Sequence, residues 1–178
     1  MIEAIRTLSV NSSEVLAKYR EIDKPPLDNI ERMIELYPIW HPKVLTVREI
    51  GQLIWYFDKT NPNHISWKLT RSGKARRVEN VAEVYLSLGS ETLIPGWNNV
   101  HKVESMISWL KNGGRFPPII IVQGNRYPDS PECSFIDGVH RSLALMVYDL
   151  TVPNNKLEIN AYVGEKANIL SRAIRRIG

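Results

Sequence analysis

The residues whose types and spacing could do chemistry lie in the segment 135–148, FIDGVHRSLALMVY. An apolar pair, Phe135-Ile136, runs into Asp137-Gly138, and a helical pattern begins directly afterwards. The first turn of a helix exposes backbone amides and carries the positive end of the dipole, so it attracts anions. Gly138 allows a sharp backbone turn and a close approach by a ligand. Val139, His140, Arg141 and Ser142 then occupy that first turn. Arginine can hold phosphate oxygens bidentately, and histidine can donate or exchange a proton. Asp137, at the end of the strand, could meet a hard cation such as Mg²⁺ bridging phosphates. Together these residues suit phosphate chemistry. Each also has a plain structural reading: a turn with a helix cap for Asp137-Gly138, a half-buried helix residue for His140, a salt bridge for Arg141.

Several elements must position this segment. Asn99 is a candidate cap for a helix over 100–112, whose Val103, Met106, Ile107 and Leu110 fall at helical spacing, and Gly113-Gly114 should end it. Ile119-Ile120-Ile121-Val122 is a β-branched run suited to a buried strand. Residues 123–132 read as a loop and 133–136 as a second strand; a helix over 139–148 turns Leu143, Met146 and Val147 inward. Residues 157–163 alternate Leu157, Ile159, Ala161 and Val163, the period of a half-buried strand. A basic amphipathic helix is expected over 165–177.

The first half reads as mostly helical. A short strand is expected over 5–10, and Asn11-Ser12-Ser13-Glu14 supplies cap candidates for a helix. A second helix is expected over 28–37, with Ile30, Met33, Ile34 and Tyr37 on one face. Pro38 and Pro42 bracket an expected turn at Trp40-His41. Thr46-Val47-Arg48-Glu49 has the capping-box pattern, followed by the stripe Ile50, Leu53, Ile54 and Phe57. A further helix is expected over 79–88, stopping at Gly89.

The motif region resembles the ParB/sulfiredoxin superfamily. The resemblance covers residues 100–163: Gly113-Gly114 after a helix, Pro118 leading into Ile119-Ile120-Ile121-Val122, the strand Phe135-Ile136, then Gly138-Val139-His140-Arg141 with Ala144 three positions on. It implies an α/β fold: a ParB/sulfiredoxin-like core with a small mixed sheet over 99–178, and a mostly helical N-terminal elaboration over 1–98 packed on it as one compact domain. It also implies a nucleoside triphosphate, with ATP favoured and Mg²⁺ as its cofactor, held by Gly138, Val139, His140, Arg141 and Ser142. Hydrolysis of the nucleotide, and DNA cleavage, would then draw on Asp137, His140 and Arg141. Glu132, placed just before the second strand near the motif, is a further candidate as general base or metal ligand, with a solvated loop carboxylate as the alternative. Sulfiredoxins carry a catalytic cysteine where this chain has Val139, and Cys133 lies before the strand, so sulfinic acid reduction is not expected. Small plasmid-encoded inhibitors of conjugative transfer, with ATPase and DNase activity, are the branch it is most similar to. The alternatives are a non-catalytic regulator that keeps the fold, and a small-molecule kinase.

Composition sets wider bounds. With 43% hydrophobic and 24% charged residues over 178 positions, the chain has the make-up of one globular domain rather than a disordered segment. A single cysteine rules out an internal disulfide. Lys plus Arg number 23 against 19 Asp plus Glu, a net charge of +4 that suits a polyanionic partner. Five cations in 67–77, namely Lys68, Arg71, Lys74, Arg76 and Arg77, make the candidate DNA-phosphate surface; a solvated loop is the alternative. His41, His64 and His101 lack metal-ligand spacing. No apolar stretch approaches the roughly 18 residues of a membrane span. The expectation is therefore a soluble cytoplasmic protein, with peripheral membrane contact and oligomeric state left open.

Overall fold

The computed structural model describes residues 9–22, 27–54, 77–92, 100–122, 134–152 and 156–165. Its elements in chain order are α1 (Ser12–Ile22), α2 (Asp28–Glu35), β1 (Ile39–Thr46), α3 (Val47–Gly51) and α4 (Val78–Thr92). They continue with α5 (Val100–Lys111), β2 (Ile119–Val122), β3 (Ser134–Asp137), α6 (Val139–Thr151) and β4 (Glu158–Glu165). The strands form one sheet in the order β1-β4-β2-β3. β4 is antiparallel to β1 and parallel to β2, and β3 is antiparallel to β2. The small mixed sheet expected of an α/β protein is present, and the first half of the chain supplies one of its edges.

All four residues of β2 are buried. A strand covered on both faces needs an uninterrupted apolar run, whereas a strand with one wet face alternates. Ile119 and Ile121 join Leu45, Phe135, Ile159, Ala161 and Val163 in a core roofed by α3, α4, α5 and α6. Ile120 and Val122 point the other way, into a second core with Val15, Leu16, Tyr19, Ile34 and Trp40 beneath α1 and α2. The sheet is thus the middle of three layers.

Several local expectations hold. Asn11 caps α1, its side-chain oxygen accepting from the Glu14 amide at 3.0 Å. Thr46 and Glu49 form the full capping box at the start of α3. Glu49 accepts from both the Thr46 amide and the Thr46 hydroxyl, which holds its carboxyl below the ordinary range. Gly113, at φ 76°, closes α5. Its amide bonds Leu110 O and the Gly114 amide bonds Trp109 O, the paired closure of a Schellman motif.

Three expectations are corrected. Trp40-His41 is not a turn but part of β1, the longest ladder with β4. Trp40 exchanges both backbone hydrogen bonds with Val10, at 2.8 and 3.0 Å, so its polar groups face away from β4. By alternation those of Pro42 and Thr46 do too. Pro42 has no donor there, and the Thr46 amide is taken by Glu49. Proline is admissible because β1 is an edge, and it helps block that edge against other chains. The helix after Thr46 runs only to Gly51, because Ile54 leaves it to bridge with Arg77; Ile50 and Leu53 stay buried. The helix expected to stop at Gly89 continues to Thr92. Residues 5–8, Asn99, and the expected helix beyond Glu165 lie outside the described residues, and Glu165 itself ends β4. Among the described residues no helix is long and apolar enough to cross a membrane.

Among the described residues the Tyr85 hydroxyl, at the roofed core, is buried without a hydrogen-bond partner. Burial, with the charge of Glu104 added, raises its ionisation above the ordinary 10.0. Removing an unsatisfied buried hydroxyl eliminates its desolvation penalty. Tyr85→Phe is therefore expected to stabilise the fold by about 1 kcal/mol in urea unfolding. The native phenol keeps its proton to higher pH than the unfolded chain does, so ionisation leaves stability untouched below the ordinary value and lowers it as pH rises from there through the raised native one. The alkaline loss of stability should shrink in Tyr85→Phe.

Candidate functional site

β3 delivers the motif. Its ladder with β2 pairs Phe135 with Ile121 and Asp137 with Ile120, so Ile136 is an extra residue and β3 bulges just before the turn. Bulges re-aim the residues that follow them. Gly138 then takes φ 96°, ψ 11°, a left-handed conformation, and serves as the N-cap of α6 without any side-chain cap. A β-carbon on Gly138 would lie 2.4 Å from Ile119 Cγ2 and 3.2 Å from Arg141 Nη2. Glycine is needed here twice over, for its φ and for its lack of a side chain. The room it leaves is filled by Ile119 of the middle strand.

The first hydrogen bond of α6 runs from the Ser142 amide to Gly138 O at 3.0 Å. The preceding amides of a first turn have no acceptor within their own helix. Val139 is half-buried and packs against the roofed core. His140 is half-buried beside it. Arg141 is only 7% exposed, and Ser142 is fully buried with its hydroxyl unpartnered.

Arg141 donates through Nη2 to Asp137 Oδ2, four residues back, closing an ion pair across the strand–helix turn. Both side chains are largely withdrawn from solvent. A buried guanidinium without a counter-charge would be strongly unfavourable, so Asp137 answers Arg141. The pairing assigned from sequence, Arg141 to phosphate and Asp137 to Mg²⁺, thus meets a structure in which the two side chains hold each other. A divalent cation against Asp137 would face the adjacent guanidinium. Among the described residues no group of three or more acidic, histidine or cysteine side chains could hold a metal. The arrangement does not suit a protein-held Mg²⁺.

The other candidates are placed as follows. Arg77 is half-buried at the bridge to Ile54, immediately before α4. Lys68, Arg71, Lys74, Arg76, Glu132 and Cys133 lie outside the described residues. Glu104, on α5, sits with its carboxylate 3.6 Å from His101 and lines a cavity with Tyr85, away from the motif. His41 reaches Glu165 at 3.3 Å, a contact between neighbouring strands. The pair spans the junction between the end of β3 and the first turn of α6, so helical spacing alone does not announce it in the sequence.

A double-mutant cycle tests the pair. Arg141→Met alone strands a buried carboxylate and should lower stability by about 3–5 kcal/mol. Asp137→Leu with Arg141→Met removes both charges and should lose much less. Additive losses in urea unfolding would mean the two side chains are energetically independent.

Compared with protein-family models, with curated proteins and with solved structures, the chain matches none.

Proposed function

We propose that this chain is a nucleotide-binding protein of ParB/sulfiredoxin type that hydrolyses a nucleoside triphosphate, ATP foremost, and acts on DNA, in the manner of plasmid-encoded conjugation inhibitors. The observation that carries the reading is the turn at Gly138: a strand runs through a left-handed glycine into a helix with no side-chain cap, and an arginine stands in its first turn. Phosphates would rest on the amides after Gly138, with Val139 and Ser142 completing the turn. Arg141 would share its remaining N–H donors with the phosphates while one is given to Asp137. His140 would protonate or stabilise the leaving oxygen. Mg²⁺ would arrive on the nucleotide's own phosphates.

The Arg141–Asp137 pair favours a second reading, a binding module without turnover. A satisfied, buried pair already explains both residues without catalysis.

Equilibrium dialysis against Mg-ATP and Mg-CTP, with phosphate release on the same preparations, separates the readings. The enzyme reading expects binding, and turnover that His140→Ala lowers about 10²-fold while affinity is kept. Arg141→Lys retains a charge for Asp137 but loses the planar fork, so it should fold and bind nucleotide about tenfold more weakly. Binding without turnover would leave the regulator. No binding of either nucleotide would overturn the nucleotide-binding enzyme and leave only a regulator that binds DNA or a protein partner.

The basic run is a separate expectation. Lys68, Arg71, Lys74 and Arg76, with Arg77 at its end, should give sequence-tolerant DNA affinity that falls steeply with salt. Arg71→Glu/Arg76→Glu should cut DNA retention in a filter-binding assay and leave nucleotide affinity unchanged. Equal retention by variant and wild type would remove this run from the DNA surface.

A further inference from the structure

Alongside the second half of α6 the surface folds into a cleft of about 600 Å³. That lies within the roughly 300–1,000 Å³ typical of small-molecule sites. Leu145 and Tyr148 line it, seven and ten residues past Gly138. At ~1.5 Å of rise per residue they stand roughly 10 and 15 Å along the helix from the motif. The cleft is therefore a different place from the candidate nucleotide site.

Its chemistry is two-sided. Leu110, Leu145 and Ile159 are buried side chains of the roofed core that also reach this cleft, and Phe116 adds an aromatic ring. The exposed rim carries three cations, Lys111, Arg115 and Lys156, against one carboxylate, Glu158. No ion pair among the described residues engages any of the three cations. Lys111 has a partial reason to be there, since it sits in the last turn of α5 at the negative end of its dipole. The carbonyls of Trp109 and Leu110 at that end are already closed by the amides of Gly114 and Gly113, so they do not answer the cations. Arg115 and Lys156 have no such reason. Unpaired positive charge around an apolar floor is complementary to a ligand with an anionic head and an apolar body.

We propose that this cleft binds an amphipathic organic anion, a carboxylate or sulfonate whose aliphatic or aromatic body lies on Leu110, Leu145, Ile159 and Phe116 while its head meets Arg115 and Lys156. The apolar body supplies most of the affinity and the rim supplies the choice of head. This inference is independent of what binds at Gly138.

The test uses the full chain and 8-anilinonaphthalene-1-sulfonate, an aromatic anion that brightens on leaving water. It should bind at one saturable site per chain. Decanoate should displace it about tenfold more effectively than decanol, which has the same chain without the charge. Arg115→Glu and Lys156→Glu alter exposed positions and should leave the melting curve unchanged. Each should weaken the probe about fivefold, the scale of a near-surface charge contact, and the wild-type affinity should fall with added salt. Arg141→Lys should leave the probe unaffected, which separates this cleft from the nucleotide reading. Absent binding, equal displacement by decanol and decanoate, or undiminished affinity in both charge reversals would each overturn the proposal.

Discussion

Ile119 Cγ2 sits where Gly138 would carry a side chain, 2.4 Å from the position of a β-carbon. That contact ties the strand–helix turn directly to the middle strand of the sheet. It requires a residue with no side chain, and the left-handed φ of 96° requires the same residue. With the turn held there, α6 is laid across the sheet with Leu143, Ala144, Leu145 and Val147 buried, against α3, α4 and α5. The roofed core is therefore assembled around α6, and α6 is anchored by a glycine. The opposite layer has a comparable contact. A β-carbon on Gly164 would lie 2.8 Å from the Trp40 ring, which packs edge-on against Tyr37 with centroids 5.8 Å apart. In both layers a missing side chain on one element admits a large one from another.

Burying the first turn of α6 has an electrostatic consequence. Arg141 comes inside with it, and a guanidinium removed from water needs a counter-charge within reach. Asp137, the last residue of β3 and four positions back, supplies it. The same carboxylate then opposes any anion approaching the turn, while the amides and the helix dipole favour it. A phosphate bound here would draw on Arg141 in competition with Asp137. Its affinity would rest first on the backbone amides, which no side chain caps. Binding and fold stability are thus coupled through one ion pair, and for that reason the pair has to be tested by variants that keep or remove both charges together.

The sequence made the second half of this chain readable and the first half less so, for physical reasons. The run Ile119–Val122 is apolar at every position because both faces of β2 are covered, and the alternation at Ile159, Ala161 and Val163 follows from the face of β4 turned to the roofed core. Helix ends were legible where a side chain or a glycine carries the signal, as at Asn11, Thr46 and Gly113. β1 was not legible. Its Pro42 reads as a breaker, and only its position at the sheet edge, with Val10 pairing beyond it, makes proline tolerable there. The end of α3 was missed because the stripe Ile50, Leu53, Ile54 fits helical spacing, while the backbone of Ile54 is claimed by Arg77, more than twenty residues away. At the site, sequence located Asp137, Gly138, His140 and Arg141 together. It did not settle that Asp137 and Arg141 spend their charges on each other, since that depends on how deeply α6 is buried.

The same helix also separates two regions of opposite design. At its first turn one cation and one carboxylate are buried and mutually neutralised, so little net charge remains to steer a ligand. Beside its second half stand three cations that no ion pair among the described residues engages, around an apolar floor. The distance between them, roughly 15 Å of helix at ~1.5 Å per residue, exceeds the Debye length of about 8 Å at physiological salt. A charge change at one end is therefore screened from the other through solvent. Coupling between the two would have to pass through packed residues. Leu145 of α6, Leu110 of α5 and Ile159 of β4 belong both to the roofed core and to the floor of the cleft, and of these elements α6 is the one that also carries the motif.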